Sequence, residues 1–123
     1  MSRVRPSFAQ RRSHRAAAIT FETVRQIGLS LPHVVDALSY NAPALKVKGK
    51  LFVRLREDLD SIVIKIRFDE RAELIAANPT AYYITDHYLR YEWMLVRLSE
   101  VRLDALRELL QAAYGFALAP KSR

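Results

Sequence analysis

The chain has 123 residues, no cysteine, and 20 Lys and Arg against 13 Asp and Glu, a formal net charge of +7. That length suits one domain, and the missing thiols exclude disulfides, thiolate metal sites and a cysteine nucleophile. Half of the residues are apolar, as in a globular protein, and no apolar run approaches the ~20 residues of a membrane span. The charge is concentrated at one end. Arg3, Arg5, Arg11, Arg12 and Arg15 precede the first acid, so residues 1–19 read as a basic, flexible N-terminal arm. Such an arm is a solvated extension, a phosphate-binding tail or an Arg-rich targeting segment. Residues 20–123 form the expected domain.

Thr20 is placed to cap a helix in which Phe21, Val24, Ile27 and Leu31 recur at helical spacing. Gly28 is a weak point in it, and Leu31-Pro32 ends it. Val34–Tyr40 reads as a first strand or turn. Three runs with period-2 alternation follow. Ala44–Lys50 sets Leu45 and Val47 against Lys46, Lys48 and Lys50. Leu51–Arg56 sets Leu51, Val53 and Leu55 against Phe52, Arg54 and Arg56. Ser61–Arg67 sets Ile62, Ile64 and Ile66 against Val63, Lys65 and Arg67. Connections this short force antiparallel pairing, which gives a meander with one apolar and one basic face. Asp69 is expected to cap a short helix to Ala77. Then come an extended Tyr82–Ile84, an aromatic loop to Tyr91, a strand Trp93–Leu98 and a helix Leu103–Ala117 striped by Leu103, Leu106, Leu110 and Ala113. The expected fold class is α+β: an antiparallel sheet of about five strands with helices on one face.

From Thr20 to Lys121 the chain resembles the MmcQ/YjbR family of small bacterial proteins. The resemblance is carried by Leu29-Ser30-Leu31-Pro32, Ser39-Tyr40 with Pro43, and Lys46-Val47-Lys48-Gly49-Lys50-Leu51-Phe52. Further on it is carried by Phe68-Asp69-Glu70-Arg71, Tyr83-Ile84-Thr85-Asp86-His87-Tyr88, Trp93–Leu98 and Ala119-Pro120-Lys121. The chain departs from the family pattern at Asn41 for glycine, Leu45 for an aromatic and Glu92 for proline. The resemblance implies a CyaY-like α+β domain and a DNA-binding role ascribed by analogy of shape. It implies no enzymatic activity; no cofactor is expected, and the lack of cysteine is compatible with the cytoplasmic location expected here.

Two constellations are candidates for function. The first is a basic sheet face of Lys46, Lys48, Lys50, Arg54, Arg56, Lys65 and Arg67, with Phe52 stacking between cations and Arg11, Arg12 and Arg15 added from the arm. Like charges opposed across strands destabilise a sheet, so their accumulation asks for a reason: DNA or another polyanion as partner, or a solvated outer face whose charges are relieved by Glu57, Asp58, Asp60 and the C-terminal acids. The second is a cleft for a small ligand or protein partner formed by Tyr40, Asn41, His87, Tyr88, Arg90 and Trp93; the alternative for the same loop is a structural plug. His14, His33 and His87 lack metal-ligand spacing. Oxygen-ligand iron sites of the sort a CyaY-like fold raises need clustered carboxylates, and here only Glu22 and Asp36 offer themselves. No nucleophile elbow, phosphate-binding glycine loop or His-Glu-x-x-His is present. The expectation is a non-enzymatic monomer without metal that does not act at a membrane.

Overall fold

The computed structural model describes residues 18–120, and its first helix, α1 (Phe21–Leu29), begins directly after Thr20, whose side chain caps it. The Thr20 hydroxyl accepts the Glu22 N–H at 3.2 Å, while Thr23 accepts the Thr20 N–H at 3.2 Å. The helix buries Phe21, Val24, Ile27 and Gly28. Gly28 is no weak point in this setting. A Cβ there would collide with the Leu45 side chain and touch Phe52, so the missing side chain lets α1 approach the sheet.

Four strands follow as a meander: β1 (Val34–Ser39), β2 (Ala42–Val47), β3 (Lys50–Leu55) and β4 (Ser61–Lys65). The first two hairpins turn on two residues each. Tyr40 and Asn41 have φ of +53° and +63°, Lys48 and Gly49 of +51° and +81°. Positive φ at both central residues is what a type I′ hairpin requires, which accounts for the glycine usual at the position of Asn41. The third connection is held by Asp58, whose carboxylate accepts the N–H groups of Asp60 and Ser61 at 3.0 and 2.9 Å.

Beyond β4 the chain forms α2 (Phe68–Ala77), β5 (Tyr82–Tyr83), a 3₁₀ turn (Asp86–Tyr88), β6 (Trp93–Arg97) and α3 (Leu103–Leu118). Asp69 does not cap α2; it lies within the first turn, and the Phe68 N–H donates instead to the Glu92 carboxylate at 3.1 Å. Glu92 thus does at a distance what the local sequence assigned to Asp69. The antiparallel sheet runs β1-β2-β3-β4-β6-β5. It has six strands rather than five because Tyr82 and Tyr83 pair with Val96 and Leu95.

On the core face α3 lies over the central strands and buries Leu106, Leu110, Ala113 and Ala117, with α1 packed beside it against β1 and β2. α2 flanks β5. The alternation expected in β3 fails at one place. Leu45 pairs with Val53, but Lys46 pairs with Leu51, so Phe52 is the extra residue of a bulge. It turns into the core with 0% exposure and meets Tyr114 edge-on, the ring centroids 6.2 Å apart. Leu51 moves to the opposite face beside Lys46. The stacking role expected of Phe52 is therefore withdrawn: burying a Phe side chain stabilises the fold by about 1.5–3 kcal/mol and leaves no ring for a ligand. Among the described residues no helix is long and apolar enough to cross a membrane.

Candidate functional site

The face of the sheet turned away from α1 and α3 carries Ala44, Arg54, Val63 and Leu95 in cross-strand register. Lys46 and Lys65 share that face. It is not the open basic surface its alternation suggests, since Ala44, Val63 and Leu95 are all buried. The segment between β5 and β6 folds back against it, and two arginines fix that segment. Arg54 of β3 donates to the Tyr88 hydroxyl at 2.9 Å and to the Leu55 carbonyl at 3.3 Å. Arg71, from α2, is 8% exposed and donates from Nη1 to the carbonyls of Tyr88, Tyr91 and Trp93 at 3.1, 2.8 and 3.1 Å. Its Nη2 reaches the Leu89 carbonyl at 3.1 Å. One buried cation thus gathers three backbone acceptors of the loop and the first of β6, replacing the water that a loop's carbonyls otherwise bind.

Beside the pinned loop lies a cleft of about 590 Å³, lined by Tyr40, Asn41, Arg54, Arg56, Thr85, His87 and Tyr88 among others. The Arg54 guanidinium stands 5.5 Å from the Tyr40 ring centroid, and His87 meets Tyr88 edge-on at 4.7 Å. A second cleft of about 230 Å³ shares Tyr40, Arg54, His87 and Tyr88, and continues over Leu51 and Val63 to Tyr91 and Trp93. A third, of about 690 Å³, takes over at Leu51 and Trp93 and reaches Lys50, Lys65, Arg67 and Phe116. The three adjoin through shared lining residues and together make a groove: the first two lie over the outer face, and the third turns past the end of β3 to the C-terminal end of α3 at Phe116, Ala117, Ala119 and Pro120. At its far end the Lys65 ammonium sits 4.6 Å from the Trp93 ring centroid and 5.7 Å from that of Phe116, and Arg67 lies 5.1 Å from Phe116. Cations over aromatic faces are held in place while keeping their charge.

The YjbR family model matches residues 29–115, most of the described fold. The chain belongs to the YjbR family. The crystal structure of the Deinococcus radiodurans protein DR2400, which carries the family-model domain DUF419, is similar to it. The two align with a TM-score of 0.69 at 23% sequence identity, over 79% of this chain and 77% of that one. That likeness establishes a shared fold. No curated protein matches the chain.

Within this YjbR fold the expected basic residues divide. Arg54, Arg56, Lys50, Lys65 and Arg67 line the groove, at its two ends. Lys46 is half-buried on the same face, and Lys48 stands exposed in the β2–β3 turn; neither lines the clefts. Arg11, Arg12 and Arg15 lie outside the described residues. Of the residues expected around a ligand, the fold converges Tyr40, Asn41, His87, Tyr88 and Trp93 but leaves Arg90 off the lining. Arg90 sits in the stretch past the 3₁₀ turn, exposed. Neither plug nor pocket alone describes the segment: Arg71 closes it from beneath, and the groove opens beside it.

Arg71 and Arg97 fall in segments that carry the family resemblance, but the sequence alone assigns neither a role. Arg97 stacks at 4.0 Å on Tyr83 and donates to the Thr80 carbonyl at 2.7 Å. Its period-2 spacing from Trp93 and Leu95 placed it on this face, whereas a single Arg on a short helix gives no signal of what it will gather. Glu22 and Asp36 both bind Arg25, Asp36 at 2.8 Å and Glu22 at 3.3 Å. The Arg25 hydrogen bond holds the Asp36 carboxyl below its ordinary pKa. Among the described residues no three His, Asp or Glu side chains gather as metal ligands.

Proposed function

We propose that the protein is a non-enzymatic nucleic-acid-binding module that receives its ligand along the groove that crosses the outer face of the sheet and turns past the end of β3. The observation behind this reading is the continuity of the groove, with Arg54 and Arg56 at one end, Lys50, Lys65 and Arg67 at the other, and aromatic side chains between. Cations fixed on or beside strands lose little freedom on binding a phosphate chain, and the excess of basic over acidic side chains, although concentrated in the N-terminal arm, suits such a partner. Two acids, Glu57 and Glu92, lie along the groove, and one of them is engaged. Glu92 receives the α2 N-terminus, and Glu57 lies 4.0 Å from Arg56. The sequence holds no arrangement typical of catalysis, which favours a binding role over a reaction.

Titration of a labelled oligonucleotide at two salt concentrations tests the reading. Affinity should fall steeply with salt through counterion release. Lys50→Gln with Arg67→Gln, both exposed, should reduce the log–log salt slope by about one to two. Absence of binding at low salt refutes the proposal. A second reading has support in the 590 Å³ cleft, which is of the size that small ligands occupy: an anionic aromatic compound held between Tyr40, His87 and Arg54. Binding of such a compound in the absence of any oligonucleotide affinity would favour it.

A further inference from the structure

The shape of the groove points to a narrower ligand class than nucleic acid at large. Tyr40 is 90% exposed although it sits at a position of φ +53°. A left-handed turn residue is ordinarily Gly, Asn or Asp, and a bulky side chain there is strained. The turn thus carries an aromatic ring, displayed to solvent beside Arg54, at a cost to its own stability. Arg54 uses its bonds to Tyr88 and Leu55 for only part of its five N–H donors, which leaves donors for an anion. His87, Tyr91 and Trp93 continue the aromatic lining. From Arg56 to Lys50 the adjoining clefts extend for up to ~20 Å at a strand's rise per residue, more than one nucleotide spans.

We infer that the groove takes single-stranded nucleic acid, with an unpaired base on Tyr40 and the adjoining phosphate on Arg54. Paired bases are stacked inside a duplex and offer no face to a tyrosine; an unpaired strand offers one at every step. The groove is concave and walled by the Arg71-pinned loop, so it admits a single chain more readily than the convex side of a double helix. This inference rests on the nucleic-acid reading above.

The test uses the full chain, a labelled single strand, the same strand annealed to its complement, and a mononucleotide, each titrated with the native protein and with Tyr40→Asn. Asparagine accepts the left-handed backbone, so the variant keeps the turn. The single strand should bind at least tenfold tighter than the duplex, and the mononucleotide far more weakly than either. Tyr40→Asn should weaken the single strand about five- to a hundredfold, the loss expected for one stacked base, and leave duplex affinity and the salt slope unchanged. A duplex bound as tightly as the strand, or a strand indifferent to Tyr40→Asn, overturns the inference and leaves the nucleic-acid reading standing. A mononucleotide bound as tightly as the strand also overturns it. If neither polymer binds at low salt, both readings fall.

Discussion

Replacing Arg71 by methionine removes the guanidinium but keeps most of the volume, and so isolates what the buried cation contributes. Three carbonyls accept from its Nη1 and one from its Nη2, at 2.8 to 3.1 Å. Nη1 has only two hydrogens, so its three contacts are worth about two bonds, and the whole cluster about three. At about 1.5 kcal/mol net for each charge-assisted bond, the gross loss is about 4–5 kcal/mol. Two effects offset it. No carboxylate neutralises the buried cation within 4 Å among the described residues, so its removal returns part of a desolvation cost. The released carbonyls of the exposed residues Leu89 and Tyr91 regain part of their hydration. The expected net destabilisation is about 2–3 kcal/mol, a drop of roughly 8–15 °C in Tm for a domain of this size.

Urea unfolding followed by fluorescence measures this directly, because Trp93 is the single tryptophan and its own carbonyl is one of the four acceptors. Arg71→Lys should fall between native and Arg71→Met, since one ammonium cannot span four carbonyls at the guanidinium's fixed angles. Arg71→Met should also weaken oligonucleotide binding, because the loop walls the groove. A midpoint within about 0.5 kcal/mol of native would show that the loop is held by packing instead, and the account of Arg71 would be wrong.

Phe52→Ala should cost about 3–5 kcal/mol in the same unfolding assay, where a surface phenylalanine would cost almost nothing. A small effect would return Phe52 to the outer face. Gly28→Ala gains about 1 kcal/mol of helix propensity yet forces α1 off Leu45, an overpacking worth about 1–3 kcal/mol. A net loss of up to about 2 kcal/mol is expected by denaturant titration, and a clear gain would refute the close approach. Burial pushes the Asp58 carboxyl up, but the N–H bonds from Ser61 and Asp60 outweigh it and hold the folded pKa below the ordinary 3.8. Its stabilisation is therefore complete above about pH 5 and disappears as pH falls through 3.8 and lower. The stability gap between native protein and Asp58→Ala should narrow over that range, and a gap that widens on acidification would reverse the assignment.

Much of this molecule follows from neighbours along the chain. Thr20 caps its helix through atoms two and three residues away, and the antiparallel meander follows from connections too short for a crossover. The α3 stripe is a matter of helical period. The candidate site was legible only as an inventory: Tyr40, His87, Tyr88 and the strand cations stood out by type, and the fold brought most of them into one groove. What period and propensity could not decide was every outcome that depends on a contact between distant segments. Phe52 alternates as a surface residue, yet one extra residue in β3 reverses its face, and that bulge exists only in the pairing with β2. Asp69 has the chemistry of a cap, but Glu92, 24 residues from Phe68 in sequence, supplies the carboxylate. Gly28 weakens an isolated helix but leaves the room that the Leu45 side chain fills. Arg71 carries no local signal at all, because four carbonyls separated from it by 17 to 22 residues give it a purpose only once β6 has docked. Backbone geometry and apolar periodicity are short-range properties written into adjacent residues; the pairing of a charge or a void with its complement is settled by whichever segments tertiary folding makes neighbours.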